Sequence, residues 1–181
     1  MGDEPEVLSL ADVVPAKARQ AFRAVAAVLS ARLPYAEIVH VGSTAVPGCL
    51  TKGDLDVLVR VDCDDFGRAS LTLDDLLPRS PRNERTDDYG EYDYSADGAS
   101  AAVQLVVAGS ILDDRFRRLK AILTSDPQAL DRYNALKLRC AGGSMAAYRD
   151  AKHQLIEALL LADTAAGRDR GRAALLPGIH E

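Results

Sequence analysis

The spacing of apolar residues is mixed before residue 110 of this chain and purely helical after it. Upstream of that point apolar positions alternate in short runs, and residues 54–61 place four branched apolar side chains on one face of an extended strand. Downstream they recur every three or four positions, as on the buried side of a helix. The 181 residues, 48% of them apolar, are enough to bury one substantial core. We therefore expect an α/β (α+β) fold with a single domain over residues 1–163, followed by a polar C-terminal appendage, 164–181.

The first half of the domain, residues 1–110, is predicted to form a small mixed sheet with flanking helices. Helical spacing before Pro34 and again before the Pro- and Arg-rich segment near residue 80 predicts two helices, at 15–33 and 64–77. Alternating patterns predict four strands, at 37–41, 54–61, 89–94 and 101–107, of which the last two are expected to pair antiparallel.

The second half, residues 111–163, is predicted to be a bundle of three helices. The first apolar stripe begins near residue 112, and the sequence Ser-Asp-Pro at 125–127 is typical of a helix start. Two glycines at 142–143 end the second helix, and Ser144 is placed to cap the third.

Charge and composition argue against several classes of protein. A net charge of −5 and a pI near 5.2 disfavour general binding to nucleic acid or to an anionic membrane, so any bound phosphate needs a local site. The N-terminal residues lack the pattern of a secretory signal, and the apolar stretch at 155–162 is too short to cross a bilayer. The three cysteines lack metal-ligand spacing. We expect a cytoplasmic protein with no membrane partner.

Two aspartates stand side by side at the start of the second predicted strand. Asp54 and Asp56 are two residues apart, so both carboxylates point to the same face. Like charges this close are unfavourable unless a cation lies between them, and Mg²⁺ prefers oxygen ligands. The alternative is that the pair merely begins a strand at the solvent edge.

A glycine-serine turn lies twelve residues before the pair. Gly42 and Ser43 open the segment G-S-T-A-V-P-G, whose backbone N–H groups can hold the phosphates of a nucleoside triphosphate. His40 ends the preceding strand, where it can contact a nucleotide or orient the turn. A lone histidine at such a place is also typical of a structural residue bonded to a backbone carbonyl.

Three basic residues of the helical half are candidates for binding substrate phosphate. Lys137 and Lys152 fall near the apolar stripes of their helices, where a charge needs a partner such as phosphate or the aspartate pair. Alternatively their stems lie on apolar surface while their ammonium groups reach water. Arg117 is the matching position of the preceding helix, although a solvated helix face explains it equally well.

Several of these motifs resemble one family. The segments H-V-G-S-T-A-V-P-G and K-G-D-L-D-V-L-V are similar to the signature of the GrpB-like family, a branch of the DNA polymerase β-type nucleotidyltransferase superfamily. Three segments of the helical half resemble that family in order and spacing: R-F-R-R-L-K-A-I-L-T-S-D-P, L-D-R-Y-N-A-L-K and M-A-A-Y-R-D-A-K. The resemblance covers roughly residues 8–161. It implies a nucleotidyltransferase-type sheet in which Gly42 and Ser43 contact phosphate while Asp54 and Asp56 bind Mg²⁺.

The resemblance also implies a third carboxylate on a later strand, and this chain departs from that pattern. The corresponding residue is Gln104, where GrpB-like proteins more often have histidine. A neutral amide is neither a base nor a strong metal ligand. Glu91 or Asp93 of the adjacent strand replaces the missing carboxylate if it lies on the same face; the alternative is an exposed polar hairpin.

These observations leave three functions open. The first is a Mg²⁺-dependent enzyme that binds a nucleoside triphosphate, or another phosphorylated small molecule, and transfers a nucleotidyl group to an unidentified hydroxyl. The second, favoured by Gln104, is a catalytically inactive nucleotide- or anion-binding module that acts through a partner protein. The third is a structural interaction domain, for which no ligand is expected to raise the melting temperature.

Overall fold

The chain forms four strands and five α-helices within the residues that the computed structural model describes, 15–81, 85–96 and 99–174; side chains are described from residue 16 to residue 165 of those ranges. The helices are α1 (Pro15–Arg32), α2 (Phe66–Leu76), α3 (Ile111–Ser125), α4 (Pro127–Cys140) and α5 (Met145–Ala174). The strands are β1 (Glu37–Val41), β2 (Leu55–Val61), β3 (Tyr89–Ala96) and β4 (Ala99–Val107). The predicted α+β class is confirmed.

The strands form one mixed sheet in the order β1-β2-β4-β3. The central pair, β2 and β4, is parallel, and the two outer strands pair antiparallel with their neighbours. The antiparallel pairing of the last two strands was predicted. In this register Gln104 of β4 is opposite Leu58 of β2 and Glu91 of β3, while Ala102 is opposite Asp56. Directly paired residues share a face, so the carboxylates of β2 and β3 and the Gln104 amide lie on the same side of the sheet.

The other side of the sheet is the main core. The alternating apolar residues of β2 all belong to it, as the sequence pattern predicts, and they pack with residues of α1 and α2 such as Leu29 and Leu73. Tyr92 of β3 is 1% exposed there, with its hydroxyl 3.0 Å from that of Ser70. Because α1 and α2 cover this face, the polar face is left for the helical half.

The helical half has a second core, which includes one residue of the sheet half. Leu123, Tyr133 and Leu159 come from the three helices of the bundle, and Val46 comes from the loop that joins β1 to β2. The predicted start of the second helix is confirmed, because Asp126 accepts hydrogen bonds from two backbone N–H groups of the first turn of α4. The loop between β1 and β2 is therefore packed between the two halves.

The helical half differs from the prediction at its end. Helix α5 continues to Ala174, eleven residues beyond the expected boundary after residue 163. The residues beyond 163 include several alanines and arginines, which are strong helix formers, so helical propensity continues after the apolar stripe ends. Residues 175–181 lie outside the described part of the chain. Among the described helices, none is long and apolar enough to cross a membrane.

Candidate functional site

A cleft of about 770 Å³ lies between the polar face of the sheet and the helical half. Its walls bring together residues far apart in sequence, from the loop after β1, from β2 to β4, and from α3 to α5. Seven of the predicted site residues line it: Gly42, Ser43, Asp54, Asp56, Gln104, Lys137 and Lys152. The sequence motifs therefore meet at one place in the fold.

The glycine-serine turn is in direct contact with one carboxylate of the pair. Gly42 has a φ of 72°, in the left-handed region that favours glycine. A Cβ atom added there would lie 2.0 Å from Oδ2 of Asp56. Only glycine fits this position, so the turn and the Asp56 carboxylate occupy one compact unit.

The two aspartates lie in different environments. Asp54 precedes β2, its side chain is 63% exposed, and its carboxylate is 2.9 Å from the ammonium group of Lys52. Asp56 lies within the strand, and burial raises its pKa to about 6. The ammonium group of Lys152 works against this rise, whereas the charge of Asp54 adds to it. Asp56, the inner carboxylate of the pair, is therefore the one whose negative charge is unfavourable. The sequence predicted such a charge for the pair as a whole.

Lys137 holds the loop between β1 and β2 against helix α4. It is 2% exposed, its Nζ donates to Oγ of Ser43 at 2.6 Å, and it also donates to the carbonyl of Leu50. The same ammonium group lies 4.5 Å from the ring centroid of Tyr133. Burial lowers the pKa of Lys137. The ammonium group is thus enclosed beside the turn and does not reach bulk water.

Lys152 provides a second cation on the helical side of the cleft. Its Nζ lies 5.7 Å from the ring centroid of Tyr148, one helical turn earlier. Burial lowers its pKa, and the carboxylate of Asp56 opposes that change. The charges of Lys152 and Asp56 thus affect each other across the cleft.

Gln104 occupies the position of the expected third carboxylate and is 6% exposed. Its side chain lowers the pKa of Asp56, because a neighbouring amide N–H favours the ionised form of a carboxyl group. Its Oε1 is buried and has no hydrogen-bond partner among the described residues. Glu91 and Asp93 of β3 line the same cleft, with Glu91 directly opposite Gln104 in the sheet.

The two remaining predicted site residues do not line the cleft. The ring of His40 stacks on Phe22, and its Nε2 is 2.9 Å from Oγ1 of Thr44 in the turn. Burial and the charge of Lys120 lower the pKa of His40 to about 4, so the ring is neutral at pH 7 and orients the turn. Arg117 is 54% exposed and lies 3.8 Å from Asp113. Asp113 is one helical turn before Arg117, so the Arg117 guanidinium is directed along α3.

Sequence reasoning missed several residues of the cleft wall. They are Lys52, Lys120, Tyr133, Tyr148 and Arg149. Both tyrosines come four residues before a predicted lysine, and an aromatic residue paired with a cation at that spacing on a helix is a usable signal. Lys120 donates to the carbonyl of His40 at 2.9 Å, a contact between α3 and β1 that no local pattern indicates.

The donor set fits a magnesium ion that arrives with a phosphate. Mg²⁺ is commonly bound through one or two carboxylates, with substrate phosphate oxygens and water as its other ligands. Asp54 and Asp56 supply two carboxylates beside the turn. Within the described ranges, no group of three or more His, Cys, Asp or Glu side chains is arranged to hold a metal. Asp54 and Asp56 are residues that could hold a cation in this cleft.

Fold and cleft together define an α+β protein with a glycine turn and an aspartate pair in one groove. The family model described as GrpB protein matches residues 10–161. A UPF0157 protein of Vibrio cholerae serotype O1 is 32% identical over 154 residues, which cover 83% of this chain and 79% of that protein. The chain belongs to the GrpB family, as the sequence resemblance implied.

One solved structure agrees with this assignment at the level of the fold. The conserved protein GrpB from Enterococcus faecalis has a TM-score of 0.66 at 20% identity, with 85% of this chain and 98% of that chain covered. The Cid1 poly(U) polymerase, in a structure with Mg 3′-dATP bound, has a TM-score of 0.45 at 17% identity and covers 67% of this chain and 39% of its own. A likeness as weak as the second assigns no function.

Proposed function

We propose that the cleft binds a nucleoside triphosphate together with Mg²⁺ and that the protein transfers the nucleotidyl group to a hydroxyl of a second molecule. The observation that carries this proposal is the contact between the glycine turn and the inner carboxylate, where a Cβ at Gly42 would overlap Oδ2 of Asp56. A phosphate held by the N–H groups of such a turn lies beside a carboxylate that suits its magnesium ion.

Each charged group has a role in this arrangement. Asp54 and Asp56 hold Mg²⁺, which supplies positive charge to the phosphate oxygens when it is bound. Gly42 and Ser43 position the phosphates. Lys137 and Lys152, both on the helical wall, offset the negative charge that develops on the leaving group.

The transfer needs a base as well as these cations. In the proposed reaction the acceptor's hydroxyl oxygen forms a bond to the α-phosphorus, the bond from that phosphorus to the bridging oxygen of the β-phosphate breaks, and pyrophosphate leaves. The hydroxyl proton passes to a carboxylate of the cleft. Glu91 is the candidate, because it lines the cleft and is opposite Gln104, where the expected third carboxylate is replaced.

The test begins with ligand binding. Thermal unfolding is measured with each of the four nucleoside triphosphates, with and without Mg²⁺, for the wild type, Asp54→Asn and Asp114→Asn. Asp54 is largely exposed, so its replacement leaves the fold intact, and Asp114 on α3 is a comparably exposed control outside the cleft. We expect a Mg²⁺-dependent rise in melting temperature for the wild type and the control only. No rise for the wild type with any nucleotide contradicts the proposal.

A second candidate function is a binding module without catalysis, which acts through a partner protein. Its support is Gln104, a neutral residue at the position of the third carboxylate. Release of pyrophosphate in the presence of hydroxyl-bearing acceptors separates the two candidates. Release that is lost in Glu91→Gln favours the enzyme. Mg²⁺-dependent binding with no release under any condition favours the module.

A further inference from the structure

The proposed function assigns no hydrogen-bond donor to one buried polar atom of the cleft, Oε1 of Gln104. Oε1 of Gln104 is buried, accepts no hydrogen bond from any described residue, and belongs to a side chain that lines the cleft. A buried carbonyl oxygen without a donor is destabilising, so such atoms are rare unless a ligand or water satisfies them. The unpartnered atom of Gln104 is an acceptor, so a group of a ligand that satisfies it must be a donor.

The residues around this oxygen share its character. Glu91 is opposite Gln104, and Asp93, two residues further along β3, lies on the same face and also lines the cleft. Ionised carboxylates accept hydrogen bonds and do not donate them. The β3 side of the cleft is therefore acidic and rich in acceptors, whereas the helical side carries Lys137 and Lys152. A phosphate group is therefore attracted by the helical side and repelled by the β3 side.

We propose that Gln104, Glu91 and Asp93 form a subsite for the acceptor molecule, and that this acceptor is a small compound bearing alcohol and amine groups. This inference rests on the proposed function, since it names the second substrate of the same cleft. An alcohol O–H or an ammonium N–H donates to Oε1 of Gln104, and a protonated amine is in addition attracted by the carboxylates of β3. An anionic acceptor, such as a sugar phosphate, is excluded from this side by charge.

The role of Gln104 follows from this assignment. Gln104 and Asp56 lie on the same face of neighbouring strands, so a donor group bound to Oε1 of Gln104 is held near the inner carboxylate. A glutamate at this position would add a third charge beside Asp56 and Glu91. The neutral amide instead selects a donor-bearing group without raising that repulsion. In this view the replacement of the third carboxylate determines substrate specificity.

The experiment uses the full chain and three related probes: glucosamine, glucose and glucose 6-phosphate. Binding is measured by calorimetry without nucleotide, for the wild type, Gln104→Met, Asp93→Asn and Asp88→Asn. We expect glucosamine to bind more tightly than glucose, and Gln104→Met to weaken both by about tenfold. Asp93→Asn should weaken glucosamine but not glucose. Asp88→Asn, a change outside the cleft, should leave both unchanged.

The outcomes distinguish this inference from the proposed function. If the nucleotides raise the melting temperature but neither glucosamine nor glucose binds, the acceptor subsite is wrong and the nucleotide site stands. If glucosamine binds in a Gln104-dependent way while no nucleotide does, the subsite stands and the transfer reaction is wrong. Tighter binding of glucose 6-phosphate than of glucosamine overturns the charge argument. If circular dichroism shows Gln104→Met to be unfolded, unchanged glucosamine affinity in Asp93→Asn overturns the proposal.

Discussion

Asp56 combines a functional position with an unfavourable environment. Burial raises its pKa from an ordinary value of 3.8 to about 6, and the neighbouring charge of Asp54 adds to the rise. Lys152 and the Gln104 amide oppose the rise without cancelling it. The folded state favours the protonated form of this carboxyl group. At neutral pH the ionised form lowers the free energy of unfolding, and a bound cation would remove that loss.

We predict that Asp56→Asn is more stable than the wild type at neutral pH. Because the folded-state pKa is raised, the stabilising effect of protonation is complete below pH 3.8 and is lost as the pH rises through about 6. In Mg²⁺-free buffer at pH 7.5, the free energy of unfolding should rise by about 1–3 kcal/mol in the variant. Urea denaturation at several pH values should show this difference shrink toward pH 4. Equal stability at every pH contradicts the prediction, and Asp54→Asn is the exposed control.

The glycine turn allows a matched comparison. Gly42 and Gly142 have nearly the same φ, 72° and 75°, but a Cβ at Gly142 would meet no atom within 4 Å. Replacement by alanine strains the backbone at both positions, and at Gly42, where ψ is −171°, the conformation is essentially restricted to glycine and the strain is about 1–3 kcal/mol. Only Gly42→Ala also displaces Asp56. We predict that Gly42→Ala destabilises the protein more than Gly142→Ala and abolishes the Mg²⁺-dependent thermal shift, which Gly142→Ala retains.

At the residue scale, the sequence predicted seven of the residues that line the cleft but not the environment of each. The spacing of Asp54 and Asp56 and the chemistry of the turn are local, so both were readable. The difference between the two aspartates comes mainly from the burial of Asp56, and Lys152 and Gln104 of other elements reduce it. Burial of an ionisable group is a property of the packed fold, and a single sequence does not contain it.

The loop from β1 to β2 is the element on which the site depends, and helix α4 holds it. Oδ1 of Asn134 accepts from the backbone N–H of Leu50 at 2.8 Å, while Nδ2 donates to the carbonyl of Gly48 at 2.9 Å. Lys137 adds a second attachment one turn later along the helix. Sequence analysis identified the lysine from its place on the apolar stripe. It missed Asn134, because an asparagine on a helix surface has no distinctive pattern.

We predict that Asn134→Ala loosens this loop. The variant removes two hydrogen bonds to the loop backbone, so the free energy of unfolding should fall by about 1–3 kcal/mol. The loop that carries Ser43 should also exchange its amide hydrogens faster, and the nucleotide-induced thermal shift should be smaller. Arg132→Ala, an exposed change on the same helix, is the control. Wild-type hydrogen exchange in the loop of Asn134→Ala contradicts the prediction.

On the scale of the molecule, periodicity predicted the two halves but not how they are joined. The change of spacing near residue 110 separates sheet from bundle, because buried strands and helices need different repeats. The strand order and the parallel pairing of β2 with β4 depend on long-range contacts that no local pattern encodes. The cleft exists only because the bundle covers the polar face of this sheet, so its full lining became clear only in the fold.

The start of the bundle is attached to the sheet by one buried ion pair. Asp113 on α3 is 0% exposed and accepts from the Arg60 guanidinium on β2 at 2.5 and 2.9 Å, and from the N–H of Gly109 at 2.8 Å. Burial by itself would raise the pKa of Asp113, but the hydrogen bonds from Arg60 and Gly109 hold it below its ordinary value. This contact therefore stabilises the protein above pH 3.8 and is lost as the pH falls through the lowered pKa.

We predict that Asp113→Ala weakens the attachment of the whole helical half. The change removes the hydrogen bonds from Arg60 and Gly109 and leaves the Arg60 guanidinium with the exposed carboxylate of Glu37 as its partner, so the free energy of unfolding should fall by about 1–3 kcal/mol at pH 7. Asp114→Ala, next to it but 55% exposed, should change stability by less than about 1 kcal/mol. Hydrogen exchange should accelerate more in α3 to α5 than in the strands, because the lost contact joins the two halves. If Asp113→Ala and Asp114→Ala lower the free energy of unfolding equally, the ion pair between Arg60 and Asp113 does not stabilise the attachment of the bundle to the sheet.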